Sequence, residues 1–597
     1  MIKNKSWLSK GAVFFIILVL IAGRFYLRNW NNKVIFQDVI SYYAYLPATF
    51  IHQDPSLEFV RDTTQDYSNQ FWPRTTEKGT FVIKMSMGMS FVYAPFFGMV
   101  HIYEKMTGGQ ADGFSVPYHK ALAVAALVYL LIGLLATRKL LLKYFSHQTT
   151  SLVLLLLVFA TNLAYYTIFE SGMSHVYNFS LIAVALLMID KWLKSPGTWT
   201  SVLTGLLLGL ISLIRPSNTM LILFFLFWGC LYWPDLKERF RFLLRQYPQV
   251  IIMAACSLLV WLPQIIYWKI QTGAFFYNSY DEHFYFNQFH IPEALFGFRK
   301  GWFIYTPVML VALAGLLFMK GEAKKTRLSI IVFTPLFIYI VYSWWCWWYG
   351  GSFGSRAMID IYAIMGIPLG ALIESGMTRK VWLKIVSVSL GLLFLGHGVF
   401  QTLQYYYGAI HWDSMTREAY LVSFGHLHPK QAFYCLLEQP DYDSAIKGLE
   451  EKHPEKTTSV TTDENDYLVS LNQIECPENQ EYYTLVNVLM PDTAVEIHGS
   501  VVIGAGSNNS FPADLVVSAA LYKDNNYVQS VSVEAAPITA GGERNTRCDF
   551  TLVPEDMSGR NYNIKVFLWA QKKSAFSTEK ITVVLYDVKQ WCSEIKP

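Results

Sequence analysis

The sequence predicts a polytopic α-helical membrane protein. About 11 transmembrane helices in residues 1–402 lead through a helical connector, 403–475, to a C-terminal extracytoplasmic β-sandwich, 476–597. Three observations predict this. Hydrophobic residues make up 53% of the 597 and charged residues 15%, against a usual charged share of ~25%, which excludes a single water-soluble enzyme. The apolar residues are also clustered, in stretches such as Ser151–Ile168 and Val250–Tyr267, and runs of roughly 17 to 20 residues cross ~30 Å of hydrocarbon at 1.5 Å per residue. The last hundred-odd residues instead alternate apolar and polar between turns, the period of half-buried strands. The net charge of +4 reflects Lys and Arg in loops and points to no nucleic acid.

Lys3, Lys5 and Lys10 precede the apolar run Gly11–Gly23. No small-x-small cleavage site follows it, because Arg24, Phe25 and Tyr26 come next, so the run reads as a retained anchor with a cytoplasmic N-terminus. Spans follow near Gly11–Leu27, Ala121–Ala136, Ser151–Ile168, Tyr177–Leu193, Ser201–Ile214, Asn218–Leu231, Val250–Tyr267, Pro307–Met319, Leu328–Trp344, Ile359–Ile373 and Val381–Gln401. In that register the basic clusters occupy alternate loops: Arg138/Lys139/Lys143, Lys191/Lys194, Lys237/Arg239/Arg241/Arg245, Lys320/Lys324/Lys325/Arg327 and Arg379/Lys380/Lys384. All share the side of the N-terminus, as the positive-inside rule requires. The apolar Met85–Tyr103 reads as re-entrant or interfacial, since one more crossing there would invert every later loop.

An odd number of spans leaves the tail outside, in the periplasmic or extracytoplasmic space of a bacterial inner membrane protein. There Trp412–Lys452 reads as short helices. Ala494–Ile503, Asp514–Leu521, Tyr527–Ala535, Arg547–Val553, Asn563–Ala570 and Lys580–Tyr586 read as strands of the sandwich. Of the four cysteines in this tail, Cys476 and Cys592 bracket the sandwich and could form a disulfide; buried free thiols are the alternative.

Candidate chemistry lies at the outer ends of the spans, where polar groups are costly and no insertion signal requires them. The first outer loop, 31–118, is long for a connection. It opens on Asp38 and an amphipathic stretch holding Tyr42 and Tyr43; Asp38 is either a helix N-cap or a functional carboxylate. Lys84 precedes the Met85–Tyr103 segment, where it either snorkels or binds phosphate. Glu170 and His175 flank a Gly-containing outer turn, and Arg215 is an outer cation that breaks the positive-inside pattern. The loop between Lys269 and Tyr305 is rich in aromatic residues and carries Arg299-Lys300-Gly301. The last outer turn, Trp344–Arg356, joins a Trp cluster including Trp348 to Gly350, Gly351, Gly354 and Arg356. Its glycines permit close backbone approach to a ligand, and its guanidinium suits phosphate.

A first span, a long outer loop with an acidic residue near its start and membrane-surface helices, and a bundle of further spans resemble the C-type glycosyltransferase (GT-C) superfamily. The resemblance covers about Gly11–Gln401. Within it, Gly350–Arg356 and Phe298–Trp302 with Thr306-Pro307 resemble segments of bacterial members related to the protein O-mannosyltransferases and the lipid A aminoarabinose transferases. The chain departs from many relatives in having a single Asp38 where they carry an acidic pair.

The resemblance implies a membrane glycosyltransferase that moves a hexose or pentose from a polyprenyl-phosphate donor to an extracytoplasmic glycan, lipid or protein acceptor, with inversion. It makes Asp38 the base and Lys84 a donor-phosphate ligand. Arg299 and Arg356 are added as phosphate ligands from chemistry alone, and Tyr42, Tyr43, Glu170, His175, Trp348 and Gly351 as substrate contacts. No cofactor and no metal ligands are expected, a divalent ion being relevant only to a diphosphate donor. Membrane lipids are the other expected partners, and the sandwich is expected to bind carbohydrate or acceptor. A lipid-linked sugar transporter or flippase, or a non-catalytic envelope assembly protein, is the alternative reading.

Overall fold

The structure, a computed structural model, describes residues 6–27, 30, 34–61, 67–288, 290–378, 380–429, 433, 436–438, 440–449, 467–476, 482–489, 497–505, 515–523, 526–534, 545–552, 562–570 and 576–587. The chain divides into two compact units, 1–429 with 437–453, and 430–436 with 454–597.

The first unit is helical. Among the described residues seven of its helical segments are long and apolar enough to cross a membrane: Ser6–Tyr26, Val116–Leu141, Ser174–Lys194, Tyr247–Thr272, Gly321–Tyr342, Arg356–Met377 and Val381–Tyr406. Four of the expected spans form shorter apolar helices, His147–Phe159, Thr198–Ile214, Pro216–Phe227 and Val308–Phe318. Local chemistry sets several of the starts. Pro117 sits in the first turn of Val116–Leu141, where the missing N–H would be unsatisfied anyway. The Ser146 hydroxyl caps His147–Phe159 by accepting from the Thr149 N–H.

The ends that carry the basic clusters meet one another. Lys143 and Lys194 both pair with Asp190, at 2.6 and 2.9 Å, and Arg138 Nε donates to Ser9 Oγ at 2.8 Å. Ser146 Oγ donates to Glu374 at 2.8 Å. Because Asp190 and Lys194 end the helix that begins at Ser174, and Glu374 lies near the end of the one that begins at Arg356, His175 and Arg356 stand at the opposite ends.

The segment between the helices Ser6–Tyr26 and Val116–Leu141 contains elements of its own. Short helices Asp38–Tyr43 and Tyr45–Phe50 are followed by an antiparallel hairpin of β1, Pro73–Thr75, and β2, Phe81–Ile83. The 20-residue helix Gly88–Thr107 completes it and is not among the seven candidate spans. The buried faces of this loop and of the long helices share one apolar core that includes Ile40, Tyr43, Met89, Tyr177, Trp302 and Tyr362.

After Tyr406 the chain forms short helices Arg417–Ser423 and Tyr442–Ile446, which belong to the first unit. The second unit consists of β3, Tyr467–Cys476; β4, Tyr482–Leu489; β5, Ile497–Ala505; β6, Leu515–Lys523; β7, Asn526–Glu534; β8, Asn545–Leu552; β9, Tyr562–Ala570; and β10, Phe576–Asp587. They make two antiparallel four-stranded sheets, ordered β3-β10-β5-β8 and β4-β9-β6-β7. Alternate residues from both sheets, such as Val501 and Ile503, Ile564, Val566 and Leu568, and Ile581 and Val583, form one core. Strand β3 begins at Tyr467, inside the stretch assigned by sequence to the connector. Cys548 is a buried free thiol; Cys592, one partner of the suggested disulfide, lies outside the described residues.

Candidate active site

Several helix ends opposite the basic clusters converge on a cavity of about 320 Å³. Asp38 and Tyr42 reach it from the short surface helix, Met173, Ser174 and His175 from the start of Ser174–Lys194, and Ile214, Arg215, Pro216 and Ser217 from the junction of two apolar helices. Trp261 and Trp268 enter from Tyr247–Thr272, the segment Tyr277–Phe284 forms one wall, and Val341, Trp344, Tyr349 and Arg356 close it. A second, more open and apolar groove shares Pro216, Ser217 and Phe284 with the cavity and continues along Met220, Ile222, Leu223 and Ile340. Ile222 is 60% exposed, so the groove runs out onto the apolar face of the bundle.

Asp38 is the first residue of its helix, and its described partner is Arg356, whose Nη2 stands 3.5 Å from Asp38 Oδ2. The Asp38 side chain keeps 34% of its exposure while that of Arg356 keeps 12%. The carboxylate therefore remains open to a ligand, held by a guanidinium behind it. Arg215 is the second cation at the cavity. Its Nη1 lies 3.0 Å from His175 Nδ1 and 3.6 Å from Oδ2 of Asp360, and its charge opposes that of Arg356. Two guanidiniums lining one cavity repel until an anion comes between them.

Backbone strain adjoins this site on both sides. Gln37, immediately before Asp38, has φ 47°, and Tyr349 has φ 60°, positive values that cost a non-glycine residue about 1–3 kcal/mol. Tyr349 is held there by its hydroxyl, which donates to Val341 O at 3.0 Å, and its ring lies 5.7 Å from the Arg215 guanidinium. Burial pushes the Tyr349 phenol up to about 12. Burial, with the Asp38 charge adding to it, also raises Tyr42, so both hydroxyls stay protonated at neutral pH.

The other residues singled out by sequence are placed differently. Lys84 forms an ion pair with Glu282 at 2.8 Å, and it is Glu282, not Lys84, that lines the cavity. Tyr43 points away into an aromatic cluster with Tyr93, Phe97 and Phe114, its hydroxyl donating to Gly113 O at 2.5 Å. Glu170 sits behind the site and accepts from Tyr165 Oη at 3.2 Å; burial holds its carboxyl above the usual carboxylate range against the pull of Arg356. Arg299 lies 5.6 Å from the Trp348 ring, and Trp348 packs on Tyr442 with centroids 5.2 Å apart. Gly351 backs onto the Trp412 ring. Lys300 donates to the carbonyls of Ser352 and Trp412, and burial pushes its amine down to about 7. These residues tie the last outer turn to the segment after the final long helix.

Sequence reasoning did not single out Asp360, Tyr349 or Glu282. Asp360 carried a readable signal, an ionisable side chain inside the apolar run Ala357–Leu369. Among the described residues no group of three or more His, Cys, Asp or Glu side chains is placed to hold a metal ion.

No protein-family model matches the sequence, and no curated protein matches it. Among solved structures the chain is similar to the arabinosyltransferase EmbB from Mycobacterium smegmatis, at a TM-score of 0.30 and 13% identity, over 81% of this chain and 59% of that one. The chain thus spans less than two thirds of the length of that protein.

Proposed function

We propose that the chain is an integral membrane glycosyltransferase that transfers a sugar from a polyprenyl-phosphate donor to a hydroxyl acceptor at the extracytoplasmic face, with inversion. The observation that carries this reading is the meeting, in one cavity, of an accessible carboxylate, Asp38, and two guanidiniums, Arg215 and Arg356, with an apolar groove leading from it along the helices. A lipid phosphate has that two-part shape. Its charge suits the paired cations, and its chain suits the groove beside Met220, Ile222 and Leu223.

In the proposed reaction the acceptor oxygen attacks the anomeric carbon while Asp38 takes the hydroxyl proton. The bond from that carbon to the phosphate oxygen breaks, and its electron pair leaves with the lipid phosphate. The leaving oxygen gains negative charge as the bond breaks, so Arg215 and Arg356 stabilise the transition state more than the bound donor. Removing one such preorganised donor typically costs ~10²–10³ in rate. The phosphate role assigned by resemblance to Lys84 passes in this reading to Arg215, because Lys84 is already paired with Glu282. Positive-inside reasoning supports an outward-facing site, since the cavity lies at the helix ends opposite the basic clusters.

The test is transfer of radiolabelled sugar from a panel of synthetic polyprenyl-phosphate sugars to membrane acceptors, by the purified full-length protein in lipid nanodiscs. Turnover of at least one donor is expected. A folded protein that transfers from none of them overturns the proposal.

A further inference from the structure

Asp360 is a fully buried carboxylate with polar groups of three elements around it. Asn178 Nδ2 and Asn218 Nδ2 donate to its Oδ2 at 3.3 and 2.8 Å, and Arg215 Nη1 stands 3.6 Å from the same oxygen. A buried charge of this kind is expensive unless it is paired and hydrogen-bonded. What it holds is Arg215, aimed at the next group, His175 Nδ1, at 3.0 Å.

A guanidinium is donor-only and stays protonated. The atom 3.0 Å from it must therefore accept, so Nδ1 of His175 carries no proton and the ring is neutral with its proton on Nε2. Asp360 Oδ1 lies farther from the same Nδ1, at 3.6 Å, beyond hydrogen-bond distance, so Arg215 at 3.0 Å is the nearer partner of that nitrogen. Tyr166 packs edge-on against the ring, with centroids 5.4 Å apart, and limits its rotation.

We infer that His175 is a donor to the phosphate of the lipid substrate through Nε2–H, and that Asp360, acting through Arg215, is the positioning residue that fixes this tautomer. The inference rests on the lipid-phosphate reading above. With Arg215 and Arg356, His175 gives the cavity three donors for phosphate oxygens while adding no charge of its own. A neutral donor is favoured beside two guanidiniums, because a third cation there would be repelled.

Two measurements on the full-length protein in nanodiscs test it. With ¹⁵N-labelled histidine, the signal lost in His175→Gln should show a ring protonated at Nε2 and bare at Nδ1. Farnesyl phosphate, used as the probe, should bind about tenfold or more weakly to His175→Ala and His175→Asn, whereas His175→Gln, whose amide places a donor near the Nε2 position, should stay within about threefold of wild type. A proton on Nδ1, or His175→Ala binding as wild type does, overturns the inference and leaves the lipid-phosphate reading standing. A folded wild-type protein that binds no farnesyl phosphate overturns that reading, and this role of His175 with it.

Discussion

The helices Thr198–Ile214 and Tyr247–Thr272 touch backbone to backbone, and this contact sets the spacing of part of the cavity. A Cβ added at Gly205 would lie 2.3 Å from Met253 O and 2.9 Å from Met253 Cα; one at Gly209 would lie 2.7 Å from Ser257 O and 2.8 Å from Ser257 Cα. Ordinary contact begins near 3.4 Å, so Gly205→Ala must push the helices apart by about 1 Å and Gly209→Ala by somewhat less. Overpacking of this kind costs ~1–3 kcal/mol. Separation also stretches the Ser257 Oγ to Gly205 O hydrogen bond of 2.8 Å and the Trp261 Nε1 to Ser212 Oγ bond of 2.9 Å, worth ~0.6 kcal/mol each within a membrane bundle. Gly205→Ala should therefore destabilise by about 2–3 kcal/mol.

Because the first helix delivers Arg215 to the cavity and the second delivers Trp261 and Trp268, farnesyl phosphate affinity should fall as well. The assay is thermal melting in detergent followed by tryptophan fluorescence, with Gly98→Ala as control. Gly98 lies within a helix and has open space where its Cβ would go, so Ala there should be neutral or stabilising by up to ~1 kcal/mol. If Gly205→Ala melts at the same temperature as Gly98→Ala, the close contact, and with it the placement of Arg215, is wrong.

Further outcomes follow from the same geometry. Arg356→Gln should lower kcat/KM for donor by ~10²–10³ with the fold intact, the loss of a preorganised donor to the leaving phosphate; an unchanged kcat/KM removes Arg356 from the site. Lys84→Met should lower stability by leaving Glu282 without its counter-charge, and adding Glu282→Gln should restore it. If the double variant is stable but has lost donor affinity that Glu282→Gln alone retains, Lys84 does touch phosphate. Lys300 has a pKa of about 7 in the fold against 10.5 ordinarily. Between those values the unfolded chain holds the extra proton, so stability should rise with pH across that window and level off outside it. Melting curves of Lys300→Gln should lack that rise; curves parallel to wild type contradict the assignment.

The helices were legible because an apolar run has few alternatives in a membrane, and all eleven expected spans are found as helices or pieces of helices. Two of the four short ones depart for local reasons. Pro216 starts a 3₁₀ turn that precedes only five α-helical residues, and Val308–Gly315 likewise tightens into a 3₁₀ turn at Leu316–Phe318. In the tail, β3 was read as connector because Tyr467–Cys476 follows the polar stretch 450–466.

At the site, Asp38, Tyr42, His175 and Arg356 were readable as costly polar groups at outer helix ends, and the structure brings these four together. Tyr43 could not follow Tyr42 into the cavity, since neighbouring helical side chains point about 100° apart. The partner of Lys84 was hidden by 198 residues of separation, which no local pattern reveals. Asp360 and Arg215 are 145 positions apart in sequence and meet only because their helix ends pack together. Arg215 looked like an isolated anomaly until Asp360 was beside it.

The most direct test of the central claim sets Asp38→Asn beside Asp38→Glu in the radiolabelled transfer assay, with farnesyl phosphate binding measured in parallel. If Asp38 is the base, Asp38→Asn binds the lipid phosphate and transfers no sugar, whereas Asp38→Glu keeps a fraction of the transfer. Sugar transfer by Asp38→Asn at the wild-type rate would contradict the account and leave Asp38 as a counter-charge to Arg356.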